Sequence, residues 1–125
     1  MSMNPYAASL AWLQRVGPDT GGGIRMTKMI LSLYNPERYP FSFGECVVGL
    51  DLEGQRLALK MINDYLAQGE TEDLRKVGFQ LWEASPGIRA IASAMTDARA
   101  DLLRQWSERN RAAYREEDDR KRQAP

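Results

Sequence analysis

Histidine is absent from this chain of 125 residues, and cysteine occurs only once. The lack of histidine removes the commonest general base, the commonest metal ligand and the usual charge switch near neutral pH. The lone Cys46 excludes an internal disulfide and fits a reducing cytoplasm. Because no histidine can activate it and its neighbours include Phe43 and Val47, we predict that Cys46 is a small buried residue and not a nucleophile.

A charge excess, a leader and a membrane-length apolar run are missing as well. The 17 basic and 17 acidic side chains cancel, so no global field favours nucleic acid or an anionic membrane. The N-terminus has no basic region followed by an apolar run, so no signal peptide is predicted. The most apolar stretch is shorter than the roughly 20 residues that cross a bilayer. We therefore expect a cytoplasmic protein without a membrane segment.

Motifs for ligands are incomplete. The three glycines at 21–23 precede a helix and could attract a phosphate, but the strand and the Gly-Lys-Ser/Thr ending of a phosphate loop are lacking. The acids Glu70, Glu72 and Asp73 lack the spacing of a calcium loop, and the last two suit the start of a helix. We predict no catalytic residue, no metal site and no cofactor. A small enzyme of unknown type is kept as an alternative.

The segment from Ile24 to Tyr34, written IRMTKMILSLY, organises the predicted fold. Apolar side chains cover most of its helical wheel and leave a narrow polar edge at Arg25, Lys28 and Ser32. A helix that is apolar on most sides must be covered on most sides. We therefore predict an all-α, single-domain bundle of five or six helices around this central helix.

Capping signals divide the rest of the chain into helices. Asn4 before Pro5, and Ser85 before Pro86, each place a capping side chain ahead of a proline at a helix start. The segment from Phe41 to Leu50 could be a strand or a short helix. The capping-box spacing of Ser42 and Glu45, and the lack of a second strand, favour a helix that buries Phe43, Val47, Val48 and Leu50.

Apolar periodicity assigns the packing faces. The helix after Asp51 has Leu52, Leu59, Ile62 and Leu66 on one face. The last helix has an apolar stripe along one side, formed by Ile88, Ile91, Met95, Ala98, Leu102 and Trp106. Beyond Tyr114 no apolar period continues, so we predict a helical domain over residues 1–116 and a frayed, charged tail over residues 117–125.

Short motifs in the first half of the chain resemble a known family. They are the Asp19-Thr20-Gly21-Gly22 turn with Arg25 behind it, the Leu33-Tyr34-Asn35 helix end, and a Gly/Phe segment leading to Leu50-Asp51. From Asp19 to about Leu66 the chain is similar to small uncharacterised proteins, a domain of unknown function, from bacterial plasmids, integrative elements and phages. This resemblance implies an origin in a mobile element and a compact, mostly helical domain. It implies no catalytic residues.

Two groups of side chains are candidate binding residues. Four aromatic residues that cannot all be central are typical interface anchors, namely Trp12, Tyr39, Phe41 and Trp106. Four arginines share one side of the last helix, namely Arg104, Arg111, Arg115 and Arg122, but Asp97, Glu108 and Asp118 project close by. Mixed signs indicate a solvated, ion-paired face.

The functional prediction is a non-enzymatic protein-interaction module with an unidentified protein partner. The resemblance suggests an accessory or inhibitor protein of a mobile element or phage, for example one that acts against a host defence system. The alternative is a nucleic-acid-binding accessory protein that uses the arginines of the last helix. Self-association is left open.

Overall fold

The computed structural model describes residues 3–123, which form six α-helices and contain no strand. In chain order they are α1 Pro5–Val16, α2 Gly21–Tyr34, α3 Phe43–Val48, α4 Leu52–Gln68, α5 Glu72–Ala84 and α6 Pro86–Gln123. The predicted all-α bundle is confirmed. Residues 1–2 of the predicted domain and residues 124–125 of the predicted tail lie outside the described residues.

Side-chain caps start helices α1 to α5. The Asn4 side chain accepts a hydrogen bond from the Ala7 amide at 2.8 Å, and Asp51 accepts one from Gly54 at 2.7 Å. Thr20 and Thr71 cap α2 and α5 in the same way. Each cap satisfies an amide that has no partner within its helix, which is why these boundaries follow from local sequence.

Helix α2 is the centre of the bundle and packs against α1, α3, α4 and α5. Its side chains Met26, Ile30 and Leu31 have no measurable exposure. Thr27 is also buried, and its hydroxyl donates to the Gly23 carbonyl at 2.9 Å, so this polar group has a partner inside the helix. The predicted central position of this segment is confirmed.

The segment from Phe41 to Leu50 contains the short helix α3, which confirms the helical alternative. Ser42 caps it by accepting a hydrogen bond from the Glu45 amide at 3.2 Å. The predicted burial is wrong for Phe43 and Val48, which are exposed, and confirmed for Leu50, which is buried. Val47 is partly buried against the core. With one turn and a half of helix, only one narrow side can reach α2.

Helices α1 and α4 approach each other through small residues. A Cβ atom on Gly54 would lie 3.0 Å from the Trp12 ring, and one on Gly22 would lie 3.3 Å from it. The two glycines, Gly54 on α4 and Gly22 on α2, therefore form a slot that buries Trp12, which was predicted to be an interface anchor. Since Gly54, Ala58 and Met61 face the core, the predicted face with Leu52, Leu59 and Leu66 is turned outward.

Helix α6 is much longer than the body of the protein requires. It packs chiefly against α5, and Ala92 is its one buried residue within the described chain. Where the sequence predicts fraying after Tyr114, the helix continues to Gln123. Ion pairs one turn apart, Glu116 with Arg120 at 4.0 Å and Glu117 with Lys121 at 3.6 Å, support this last segment.

Candidate interaction surfaces

The first half of α6 is fastened to the loop that follows α2. The Thr96 hydroxyl donates to the Arg38 carbonyl at 3.3 Å, and the Arg99 guanidinium donates to the Glu37 carbonyl at 3.1 Å. Every described residue beyond Thr96 is exposed. The helix thus leaves the body near residue 99 and projects into solvent with nothing from its own chain beside it.

This projecting helix has an apolar stripe, which we call the α6 stripe: Ile91, Met95, Ala98, Leu102 and Trp106. Leu102 is 63% exposed and Trp106 is 62% exposed. At about 100° per residue the five side chains lie within an arc of about 80°. An apolar arc on a helix usually faces a core or a partner. The sequence identifies this stripe correctly, but the folded chain does not cover it.

The second uncovered surface lies on α4. We call it the α4 face: Leu52, Leu59 and Leu66, which are 63%, 58% and 78% exposed. These leucines recur every seven residues and therefore share one side of the helix. Ile62, predicted on the same face, is partly buried against the core. Helices α4 and α6, which the sequence predicts to be amphipathic, therefore both have apolar faces in contact with solvent.

The structure separates the four candidate aromatic residues. Trp12, Tyr39 and Phe41 belong to the core, which corrects their assignment as surface anchors. The slot formed by Gly22 and Gly54 receives Trp12, Lys28 lies over the Phe41 ring, and Tyr39 lies beside Tyr34 and Trp82. Trp106 alone remains exposed, at the far end of the α6 stripe.

The candidate arginines Arg104, Arg111, Arg115 and Arg122 all lie on α6 and are all exposed. By helical geometry they point away from the α6 stripe, at about 140–180° from its centre. Arg104 forms an ion pair with Asp101 on the same helix. The side is therefore solvated and mixed in charge, as the sequence indicates, and binding to nucleic acid stays a prediction.

A groove opens where the α6 stripe meets the body. We call it the entry groove; it has a volume of about 440 Å³ and lies between the start of α6 and the start of α2. Ile24 and Lys28 line it on one side, and Ile88 and Ile91 line it on the other. The Lys28 ammonium lies 3.8 Å from the Glu45 carboxylate and 5.2 Å from the centre of the Phe41 ring. Sequence periodicity found Ile91 but gave no signal for its neighbours on α2.

Titratable groups in the core are held in their neutral forms. Burial raises the pKa of the Cys46 thiol, and the neighbouring Glu45 adds to this shift. Burial also raises the pKa of Tyr6, whose hydroxyl donates to Asp64 at 2.9 Å. Cys46 is thus a buried thiol, as predicted. Among residues 3–123, no group of three or more histidine, cysteine, aspartate or glutamate side chains is placed to hold a metal ion.

Within the described part of the chain, no helix has the length and apolar character needed to span a membrane. Comparisons with models of protein families, with curated proteins and with solved structures find no match to this chain.

Proposed function

We propose that this protein is a non-enzymatic protein-interaction module and that the α6 stripe is its binding surface. The observation that carries the proposal is the exposure of Leu102 and Trp106 on a helix that projects beyond its own body. Large apolar side chains in one exposed row mark interaction sites in soluble proteins. The sequence resemblance supports a role as an accessory or inhibitor protein of a bacterial mobile element or phage, and the single cysteine fits a cytoplasmic location.

The partner that best fits the stripe is a second copy of the same helix, running antiparallel. With Leu102 on the twofold axis, residue i of one copy lies level with residue 204 − i of the other. This register puts Trp106 beside Ala98 and Ile91 beside Ala113, so that a large side chain meets a small one in these two layers, while Leu102 meets its own copy and Met95 lies level with Arg109. Alternation of this kind lets facing helices interdigitate. A parallel pair would instead stack Trp106 on Trp106 and Arg109 on Arg109.

Charge supports the same arrangement. In an antiparallel pair, the flank of α6 that faces its own body also faces the body of the partner. On this flank lie Trp106, Tyr114 and Glu117, by about 100° of rotation per residue. The register places Tyr114 and Glu117 of one copy level with residues 90 and 87 of the other. The Tyr114 ring would therefore lie over the entry groove, and the Glu117 carboxylate, which pairs with Lys121 on its own helix, would approach Lys28, which pairs with Glu45.

The first test is the oligomeric state, measured by sedimentation equilibrium. We expect a dimer, and we expect Leu102→Glu to weaken it by about 100-fold or more, because two carboxylates would be buried together at the axis. Leu59→Glu is the matched control, since Leu59 is similarly exposed but lies on the α4 face. Circular dichroism should show both variants folded. A wild-type protein that stays monomeric at about 0.5 mM would overturn the proposed self-association.

Cysteine cross-linking tests the orientation of the two helices in a Cys46→Ala background. Leu102→Cys should cross-link readily, because an antiparallel pair brings its two copies together on the axis. Ala98→Cys should not, because its two copies would be offset by about 12 Å along the helices, and a disulfide needs Cα atoms within about 7 Å. Cross-linking of both variants with equal ease would show that the pair is parallel.

The arginine side of α6 provides a second arm of the test. If nucleic acid were the natural partner, its affinity would fall by powers of ten between 50 and 200 mM salt, as about six to ten phosphate contacts require. Changing Arg104, Arg111 and Arg115 together to glutamine would then flatten that dependence. We expect neither effect, because the arginines are interspersed with acids. Strong, salt-dependent binding of DNA or RNA that requires these arginines would favour the nucleic-acid-binding function over the protein-interaction function.

A further inference from the structure

A small cavity lies between the end of α2, the loop after it and α5. Its volume is about 170 Å³, and the lining residues are Tyr34, Asn35, Arg38, Tyr39, Phe79 and Trp82. Four of these six are aromatic. The Phe79 and Trp82 rings stack with their centres 6.0 Å apart. For scale, an apolar cavity of about 150 Å³ can hold a benzene molecule.

The walls are held in place from both sides. Gly78 on α5 lets the Tyr34 ring lie against the helix, since a Cβ atom there would come within 2.8 Å of the Tyr34 Cβ. The loop that carries Arg38 is closed by a hydrogen bond from the Tyr39 amide to the Asn35 carbonyl, at 2.9 Å. The bonds from α6 to Glu37 and Arg38 hold it from outside. The cavity is therefore built by three separate elements.

Two cations without a counter-ion lie against Trp82: Arg38, which lines the cavity, and Arg89, which lies just outside its lining. The Arg38 guanidinium lies 5.7 Å from the centre of the Trp82 ring, and that of Arg89 lies 4.6 Å from it. Among residues 3–123, neither guanidinium forms an ion pair with a carboxylate. The Arg89 Nε atom is buried and has no hydrogen-bond partner. An unpaired buried donor of this kind is costly, and an anion would satisfy it.

Tyr39 provides an independent observation. Its side chain is 1% exposed, and its hydroxyl makes no hydrogen bond of good geometry, although the Trp82 side chain lies close enough to act as a donor and to lower its pKa slightly. Burial raises the pKa of this hydroxyl, while the positive charges of Arg38 and Arg89 oppose the shift. The phenol oxygen therefore lies in the field of both guanidinium groups. The Tyr39 hydroxyl and the two guanidinium groups can all donate hydrogen bonds, and no acceptor lies among them.

We propose that this cavity binds a small aromatic carboxylate, with the ring among Tyr34, Phe79 and Trp82 and the carboxylate between Arg38, Arg89 and the Tyr39 hydroxyl. A guanidinium matches a carboxylate in two parallel hydrogen bonds. Aromatic walls favour a flat ring over a branched aliphatic chain. Because the Tyr39 hydroxyl is shielded from solvent, binding requires the exposed Arg38 side chain to change its conformation, after which its guanidinium contacts the carboxylate. This site is independent of the α6 stripe.

Benzoate is a suitable probe, titrated into the full-length protein and followed by two-dimensional NMR. We expect shifts of the backbone amides of residues 35–39 and of the Trp82 indole, with the Trp106 indole unchanged. A ligand of about nine non-hydrogen atoms should bind with a dissociation constant on the order of 0.1–1 mM. Benzamide, which has the same shape without the charge, should bind at least about tenfold more weakly.

Variants assign the carboxylate contacts. Arg38→Gln and Arg89→Gln should each weaken benzoate by about tenfold or more, whereas Arg104→Gln on the far side of α6 should have no effect. Tyr39→Phe is the variant that separates binding from structure. Because the hydroxyl makes no hydrogen bond of good geometry in the folded chain, its removal should change the unfolding temperature little while benzoate binds more weakly.

Three results would overturn the proposal. They are the absence of shifts up to about 20 mM benzoate, equal binding of benzamide and benzoate, and an affinity that survives both arginine changes. Inorganic phosphate tests whether charge alone is recognised. If phosphate shifts the same residues as strongly as benzoate does, the aromatic part of the proposal fails.

Discussion

Replacing Leu31 by alanine should lower the free energy of unfolding by about 2–5 kcal/mol, the range for truncating a buried leucine. Leu31 has no measurable exposure and lies on α2, the helix that contacts four others. The lost side chain would leave a cavity enclosed by several helices, and such a cavity collapses only in part. Denaturant unfolding followed by circular dichroism measures the change.

Leu66→Ala is the matched control, because Leu66 is 78% exposed on the α4 face. We expect a change within about 0.5 kcal/mol, as at an ordinary surface site. The comparison also tests the orientation of α4, since Leu66 belongs to the face that periodicity assigns to the core. Equal losses for the two variants would mean that the α4 face is covered in solution.

Replacing Gly23 by alanine should destabilise the protein by about 1–3 kcal/mol or more. A Cβ atom at this position would collide with the Gly17 carbonyl oxygen and lie 3.1 Å from the Pro18 Cα. All these neighbours are backbone atoms in the turn between α1 and α2, so no side chain can rotate to make room. Relief would require the two helices to move apart, which would also disturb the slot around Trp12.

Gly87→Ala gives the control, since a Cβ atom at Gly87 would meet nothing within 4 Å. Alanine in an unobstructed helical position restricts the unfolded chain and should stabilise the protein by up to about 1 kcal/mol. Thermal unfolding of the two variants should therefore shift in opposite directions. A Gly23→Ala variant as stable as the wild type would show that α1 and α2 are less closely packed.

The two proposed sites differ in how far the sequence could reveal them. Periodicity alone finds the α6 stripe, because its members recur at helical spacing. The cavity beside Tyr39 has no such signal. Arg38 and Arg89 are far apart in the chain, and only the packing of α5 and α6 against the loop after α2 brings both to Trp82.

The sequence by itself determines where most helices of this protein begin. Caps at Asn4, Thr20, Asp51 and Thr71 bond to amides three residues away, so their effect is local. The central role of α2 follows in the same way, since a helix with apolar residues on most sides can be stable only when it is surrounded.

Only the tertiary structure decided which apolar face each helix buries. The spacing of large apolar side chains predicted that Leu52, Leu59 and Leu66 form the buried face of α4. However, α1 packs closely against α4 only where Gly54 makes room for the Trp12 ring. The same holds for α6, whose stripe is as apolar as a core face yet extends beyond the body that could cover it. Periodicity shows that a face is apolar, and the shapes of the neighbouring helices determine whether anything lies against it.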